Sequence, residues 1–549
     1  MEYLQECAAE AKKRVVVIGA GASGLTAIKA CLEEGLDVVC YEKSDHVGGL
    51  WRYSDEIVQG QASVMKSTII NSSKEMSAFS DFPPAAHYPN YMHNSMMIKY
   101  IEDYAQHYKL TEYVKLKHEV LDLEPTCGKK REVCGLWEVT VKDPEGKTSS
   151  QVVDAVMVCS GHHVYPLLPR FTGQEKFKGR IIHTHDYKRP KGYEDRNIVV
   201  IGVGNSGGDV AVELSAVAKQ VYLSTRRGAW IIHRVGRQGR PFDAQYTTRL
   251  LNWLFHRMPY QVVCWFCEYF INQKFDHAAY GLKPKHRIFG QHPMVNDALP
   301  NRILSGTVLV KGNIREIREH GIMFEDDREE TPVDDIILAT GYKVYFPFLR
   351  DQVLPVQENR VDAYRLVFPP DLPGLALIGL AQPIGALLPV SEIQSRWASR
   401  VFSGKLSLPS HIRMWEQIQD YHDRCRARYF AGPRNTLQID WIDYLDEVAV
   451  ELGVKPNVPK IAIKDPVLGW HLTAGPSLSY QYRLEGPNPW PGAREAILTY
   501  EERVRGALET RKVDTTSSKD LLGTVESLGT LLLGAFFMLC LAYLAVWLF

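Results

Sequence analysis

The chain has 549 residues, room for three or four domain-sized units at roughly 150 residues each. Apolar types make up 45% and charged types 23%, ordinary globular usage that excludes a mostly disordered or collagen-like chain. Lys+Arg 64 balance Asp+Glu 64, so no broad nucleic-acid-binding surface is expected and any basic pocket must be local.

The opening segment, Met1 to Arg14, is polar and mixed in charge and lacks the apolar stretch of a secretory signal. Arg14-Val15-Val16-Val17-Ile18 then predicts a buried parallel strand. Gly19-Ala20-Gly21-Ala22-Ser23-Gly24 follows, then a predicted helix over Leu25–Glu34 stopped by Gly35, then a strand over Val38–Tyr41 ending at Glu42. Each residue in this pattern has a physical task. Gly19 permits the tight turn, Gly21 lets a pyrophosphate approach the backbone, and Gly24 lets the helix pack close to the strand. The helix start, with Ser23, offers unpaired N–H groups to phosphate. Glu42 can accept two ribose hydroxyls and would repel a 2′-phosphate. This first site therefore predicts an adenosine diphosphate with free ribose hydroxyls, such as FAD.

A second copy reads Asn197–Ile201 as strand, Gly202-Val203-Gly204-Asn205-Ser206-Gly207 as turn, Asp209–Ala218 as helix and Gln220–Ser224 as strand. Its tip is Thr225-Arg226-Arg227-Gly228, with no acid. Arginine there suits a 2′-phosphate by charge and by bidentate geometry, and Arg226 lies nearer the strand end, so this site predicts NADPH. Two such folds in one chain imply electron transfer from a nicotinamide to a flavin.

Trp230–Pro300 interrupts the second fold and is rich in aromatics. Thr247–Phe275 predicts one or two amphipathic helices, either an apolar lid that lines a substrate tunnel and touches a bilayer or a helical subdomain with its own core. Cys264 and Cys267 form the sole CxxC; their apolar surroundings favour a buried helix over a redox or metal pair. The strand Asp334–Leu338 runs into Ala339-Thr340-Gly341-Tyr342, and an equivalent strand, Ala155–Cys159, runs into Ser160-Gly161. These two turns mark hinges, so the fold class is α/β with two Rossmann-like domains, the NADPH domain inserted in the FAD domain. The expected boundaries are 1–163 for the first part of the FAD domain, 164–335 for the NADPH domain with its insertion at about 230–300, and 336–450 for the second part. Helices are predicted at Trp415–Arg428 and Leu437–Val450, and a C-terminal cover and linker at 451–527. From Leu528 to Phe549 there are 22 residues without a charge, about 33 Å as a helix and enough for a bilayer core. This predicts a transmembrane tail anchor, with Tyr543 and Trp547 as interfacial residues; the alternative is a buried C-terminal helix.

Phe177-Lys178-Gly179-Arg180-Ile181-Ile182-His183-Thr184-His185-Asp186-Tyr187 resembles the FxGxxxHxxx(Y/F/W) fingerprint of class B flavoprotein monooxygenases. Gly48-Gly49-Leu50-Trp51, Asn71-Ser72-Ser73-Lys74-Glu75-Met76, Phe79-Ser80-Asp81-Phe82-Pro83 and Leu338-Ala339-Thr340-Gly341-Tyr342 extend the match over nearly the whole chain. The sequence resembles the eukaryotic flavin-containing monooxygenases; Ser72 departs from the Asn-Thr usual in vertebrate members but keeps a hydroxyl. The resemblance implies that NADPH reduces FAD, that reduced flavin and O2 give a C4a-hydroperoxide shielded by NADP⁺, and that a soft nitrogen or sulfur atom of a small lipophilic substrate takes the distal oxygen. It implies Asn71, with Ser72, near the reactive flavin edge; Gly49, Leu50 and Trp51 against the flavin; and Gln382 toward the nicotinamide amide. His183 and Tyr187 are expected in structural or cofactor-orienting roles. It also implies attachment to the endoplasmic reticulum membrane with the catalytic body in the cytosol; a homo-oligomer is left open. Lys283-Pro284-Lys285-His286 resembles the branch inclined to Baeyer–Villiger oxidation of ketones, where a cation would favour the peroxyanion; a basic surface loop is the competing reading. The alternatives for function are that ketone oxidation or a largely uncoupled NADPH oxidase releasing hydrogen peroxide. No HExxH occurs, so no metal is expected. Cys31 and Cys40 do not form the redox pair a flavin disulfide reductase needs.

Overall fold

Two parallel five-stranded sheets carry the molecule, seen in a computed structural model that describes residues 12–126, 135–430, 432 and 435–511. In the first sheet β1 (Arg14–Ile18) lies between β2 (Asp37–Glu42) and the strand Ala155–Val158, with β3 (Val114–Leu116) and Leu375–Leu377 at the edges. In the second, Asn197–Ile201 lies between Gln220–Ser224 and Asp335–Leu338, with Val308–Lys311 and Arg180–His183 outermost. All eight pairings are parallel. The central strands are buried Val/Ile runs, as strands covered on both faces must be.

The chain leaves the first sheet after Ala155–Val158, builds the whole second sheet, and returns with Leu375–Leu377. The second sheet is thus inserted within the first. The expected break after residue 335 cuts through Asp335–Leu338, a strand of the second sheet. The crossing comes later, at the Ala339–Gly341 turn. Both crossing segments meet there, since Tyr165–Pro166 pairs antiparallel with Tyr342–Lys343 and Leu167 N–H donates to the Gly341 carbonyl.

Helix α1 (Ala22–Glu33) packs against the helix Leu387–Phe402. Small hydroxyl residues let the two approach: Ser23 Oγ donates to Ser391 Oγ at 3.0 Å, and Thr26 Oγ1 meets Ser395 Oγ at 3.0 Å. The C-terminal cover is fastened here by a buried ionic cluster. Arg483 reaches Asp81 at 3.0 Å, Glu392 at 3.2 Å and Glu33 at 3.3 Å, and Lys29 reaches Asp81 at 2.6 Å. Burial alone would raise the Asp81 carboxyl; Arg483 and Lys29 outweigh it and hold Asp81 below the usual carboxylate range.

The insertion forms two helices over the predicted stretch, Arg249–Phe255 and Tyr260–Asn272. Thr248 caps the first, its Oγ1 accepting from Leu251 N at 3.2 Å. The second buries Val263, Cys264 and Ile271 and leaves Trp265 62% and Tyr269 58% exposed, with Phe266 and Val262 on the open side. Cys264 and Cys267 are free thiols on this helix, and burial pushes Cys267 up to about 12. The predicted helix over Leu437–Val450 begins late. Gln438–Asp440 is a strand paired with Gln382–Ile384, and the helix runs Trp441–Leu452. Residues through Val504 form one unit and those from Arg505 a second. The Leu528–Phe549 span lies outside the described residues, among which no helix is long and apolar enough to cross a membrane.

Candidate active site

The two glycine turns are built alike. Gly19 has φ +97°, and a Cβ there would stand 2.9 Å from the Cys159 carbonyl oxygen; a Cβ on Gly24 would stand 1.8 Å from the Gly19 carbonyl oxygen. In the second copy, Gly202 has φ +112° with Ala339 O at 2.5 Å, and Gly207 has Gly202 O at 2.0 Å. Each helix start is therefore pressed against its strand exit, leaving unpaired amides at the carboxyl end of the sheet. These are α1, capped by Gly21, and the helix Asn205–Leu214, capped by Gly204. A Cβ on Gly204 would meet nothing within 4 Å, so a cradle is open where a pyrophosphate would lie.

Glu42 stands at the tip of β2. Its Oε2 accepts from Ala20 N at 2.7 Å and its Oε1 from Ser44 N and Oγ, at 2.9 and 2.7 Å, which fixes the carboxylate beside the first turn. Gly49-Leu50-Trp51 forms a short helical turn entered through Gly48 (φ +106°). Gly48 N–H donates to the Ala20 carbonyl, and a Cβ on Gly21 would stand 3.7 Å from Gly49 Cα. The Gly48–Trp51 turn thus faces the first glycine turn across a narrow gap. Ser160 Oγ and His162 Nε2 are buried near the first loop without a hydrogen-bond partner among the described residues. Polar atoms left so are places for water or for a polar ligand. Burial lowers His162 to about 4, against the opposing Gly379 carbonyl that its Nδ1 meets at 3.2 Å.

Several expected residues have side chains that are engaged by the protein itself or turned to solvent. Ser23 and Ser72 spend their hydroxyls on Ser391 and Ser77, and Asn205 Oδ1 accepts from Val295 N at 2.8 Å. Ser206 is exposed at the helix start. Gln382 begins the strand Gln382–Ile384, beyond the Gly379 turn, which Gln394 holds by Oε1 at 2.8 Å from Gly379 N.

The basic turn separates its two arginines. Arg226 is exposed and makes no ion pair among the described residues. Arg227 lies over the Phe430 ring, 3.4 Å from its centroid. The Lys283–His286 segment, considered as a cationic neighbour of the reacting oxygen, runs beside this turn: a Cβ on Gly228 would stand 2.2 Å from Leu282 O and 3.1 Å from Lys283 C.

The cation that touches Asn71 is Arg234, unnoticed in the sequence. Its Nη2 donates to Asn71 Oδ1 at 2.6 Å, its Nε to Ile70 O at 3.3 Å and its Nη1 to Asp297 Oδ2 at 3.2 Å. Asp243 accepts from Ser73 N at 2.6 Å, and burial raises its carboxyl. Asp209, on the helix Asn205–Leu214, accepts from Asn296 Nδ2 and is raised by burial to about 6. Within the fingerprint, Tyr187 OH donates to Glu213 of the same helix at 2.9 Å, and the His183 ring packs on Tyr342.

Two dinucleotide folds, one inserted in the other and each with a glycine turn at its strand exit, define a pyridine-nucleotide-linked flavoprotein. The flavin-binding monooxygenase-like family model matches residues 12–543, and the chain belongs to that family. Flavin-containing monooxygenase 5 of Rattus norvegicus is 49% identical over 544 residues, 98% of this chain and 99% of its own. Dimethylaniline monooxygenase 2 of the same species, named as N-oxide-forming, is 43% identical over 526 residues, 94% and 97% of the two chains. Among solved structures, S-allyl-L-cysteine S-oxygenase from Allium sativum aligns with a TM-score of 0.62 at 23% identity, covering 90% of this chain and 99% of that one. OTEMO, in its complex with FAD and NADP, aligns at 0.60 and 16% identity, covering 82% and 98%. These two show the fold. The protein is a flavin monooxygenase that uses FAD and NADPH.

Proposed function

We propose that the protein oxygenates soft nitrogen or sulfur atoms of small lipophilic compounds at the expense of NADPH and O2. The observation that carries this is the hydrogen bond from Arg234 Nη2 to Asn71 Oδ1 at 2.6 Å, which ties the Asn71 segment of the first dinucleotide unit to the insertion of the second. The N-oxide-forming name of a 43% identical relative supports the substrate class. FAD, when bound, supplies the redox chemistry and the activation of O2. The protein's own part is to bind, orient and exclude water. In this reading the amides of Gly21–Gly24 and Gly204–Gly207 hold the two pyrophosphates, and Glu42 takes the FAD ribose. Arg226 takes the 2′-phosphate, Gly49–Trp51 backs the flavin, and Gln382 reaches the nicotinamide amide. Asn71 donates hydrogen bonds without supplying a labile proton, so it stabilises a polar oxygen without hastening its loss as peroxide.

A second reading is favoured by Arg234. A mostly buried guanidinium next to Asn71 would stabilise an anionic oxygen nucleophile, which ketone oxidation requires. Incubation with a sulfide or a ketone, with products identified and peroxide measured per NADPH, separates the two readings from a plain oxidase. Near-complete peroxide release with every substrate would reject both.

The exposed aromatic side of Tyr260–Asn272 and the uncharged run 528–549 support attachment to the endoplasmic reticulum membrane, with the catalytic body cytosolic. Removing 528–549 should release the protein with flavin bound; retention on membranes would leave the helical insertion as the anchor.

A further inference from the structure

Resting on the placement of Asn71 beside the cofactors, we infer that Arg234 is a positioning residue that fixes which way the Asn71 carboxamide faces. A guanidinium carries only donors. The Asn71 atom 2.6 Å from Arg234 Nη2 must therefore be the carbonyl oxygen. The Nδ2 group then faces away from Arg234, and among the described residues it makes no hydrogen bond. Asn71 thereby keeps its two N–H donors free for a ligand while its carbonyl oxygen is engaged by Arg234. Without Arg234 the two flips of the amide, alike in shape, would compete, and one of them would turn a carbonyl toward the bound cofactors.

Arg234 is itself held from several directions. Its side chain is 13% exposed. Its backbone N–H donates to Asp297 Oδ1 at 2.9 Å, and its carbonyl accepts from Tyr91 OH at 2.7 Å and from Phe242 N at 2.8 Å. Asp297 is anionic: burial would raise it, but hydrogen bonds from His233 and Arg234 bring it below the usual carboxylate range. Its neighbour Asn296 donates to Asp209 on the helix of the second glycine loop, and Val295 N donates to Asn205 at that helix start. The backbone of residues 295–297 thus joins the contacts at the second dinucleotide turn to those of Arg234 and Asn71.

The test uses FAD-loaded enzyme and four forms: wild type, Asn71→Ala, Arg234→Met and the double variant. The readouts are the change in visible flavin absorption during NADP⁺ titration, peroxide released per NADPH, flavin content and thermal midpoint. Arg234→Met should weaken NADP⁺ roughly tenfold, the size of one charge-assisted hydrogen bond, and raise peroxide release. The double variant should be no worse than Asn71→Ala, because the two residues act as one. Additive losses in the double variant, or wild-type behaviour of Arg234→Met, overturn the inference alone. A silent Asn71→Ala overturns the cofactor placement and the inference with it. Should Arg234→Met lose its flavin, Arg234→Lys decides. It keeps a cation for Asp297 but lacks the planar fork that bonds Asp297 and Asn71 from separate nitrogens, so NADP⁺ affinity should still fall, and unchanged affinity rejects the inference.

Discussion

Arg226→Ala isolates nucleotide recognition from folding. The side chain is exposed and has no ion pair among the described residues, so its removal should change stability by less than about 0.5 kcal/mol. What it should lose is a charge-assisted contact to the 2′-phosphate, worth about 1.5–3 kcal/mol. At about 1.4 kcal/mol per decade this is an increase of roughly 10- to 150-fold in the NADPH requirement. NADH, which lacks that phosphate, should be affected little. Arg227→Ala should behave in the opposite sense, because its guanidinium is stacked on Phe430. It should lower the thermal midpoint by the loss of a cation–π contact of about 0.5–2 kcal/mol, with a smaller effect on coenzyme choice. The assay is kcat/KM for NADPH and NADH in each variant, with thermal midpoints measured alongside. Equal losses for the two coenzymes in Arg226→Ala would remove that residue from the phosphate site, and a selectivity change confined to Arg227→Ala would exchange the two roles.

Three other perturbations address the loops, the cover and acid. Gly24→Ala should prevent folding around flavin, since its Cβ would stand 1.8 Å from backbone oxygen, whereas Gly21→Val should fold and be colourless, its Cβ meeting protein only at 3.7 Å. Visible absorbance and circular dichroism check this, and a yellow Gly24→Ala rejects the packing argument. Arg483→Met should cost about 3–5 kcal/mol in denaturant unfolding, because buried Glu392 would lose this ion pair and buried Asp81 would keep only Lys29; a loss under about 1 kcal/mol would mean water reaches the cluster. Acid should destabilise the fold. His162 moves from 6.5 to about 4 and His163 to about 3 through burial, so between pH 6.5 and 4 the unfolded chain binds more protons than the folded one. Each such histidine removes up to about 1.4 kcal/mol per pH unit as pH falls through that window. Asp209, raised to about 6, opposes this together with Asp243 and Asp443, while His277 and His292, also lowered by burial, reinforce it. The thermal midpoint should fall from pH 7 to 5 and fall less steeply in His162→Gln; a flat profile in both would contradict the histidine burial.

The fold was legible because its chemistry is local. A strand, a glycine turn and a helix occupy adjacent residues, and the steric demands on Gly19, Gly24, Gly202 and Gly207 come from backbone within the same motif or from the next strand exit. Helix starts were placed late, at Leu25 and Asp209 rather than Ala22 and Asn205, because the cap is a glycine with no side-chain signature. The strand Gln438–Asp440 was read as helix because its partner, Gln382–Ile384, lies far along the chain and pairing cannot be seen in a periodicity.

The site was legible only as far as it is local. Glu42 and Arg226 stand at strand tips that a motif fixes. Arg234 lies 163 residues from Asn71, and Asp243 lies 170 from Ser73, in an insertion whose aromatic composition drew attention to its surface instead. Basic residues at Lys283–His286 attracted the role of a cation near the oxygen because they form a run. The structure sets that run beside the Arg226 turn and sets a single isolated arginine beside Asn71. The distinction is physical. A run of lysines is soluble anywhere on a surface, whereas a mostly buried guanidinium must have its donors satisfied. Asn71, Ile70 and Asp297 do that for Arg234, so its position is determined by the groups it serves.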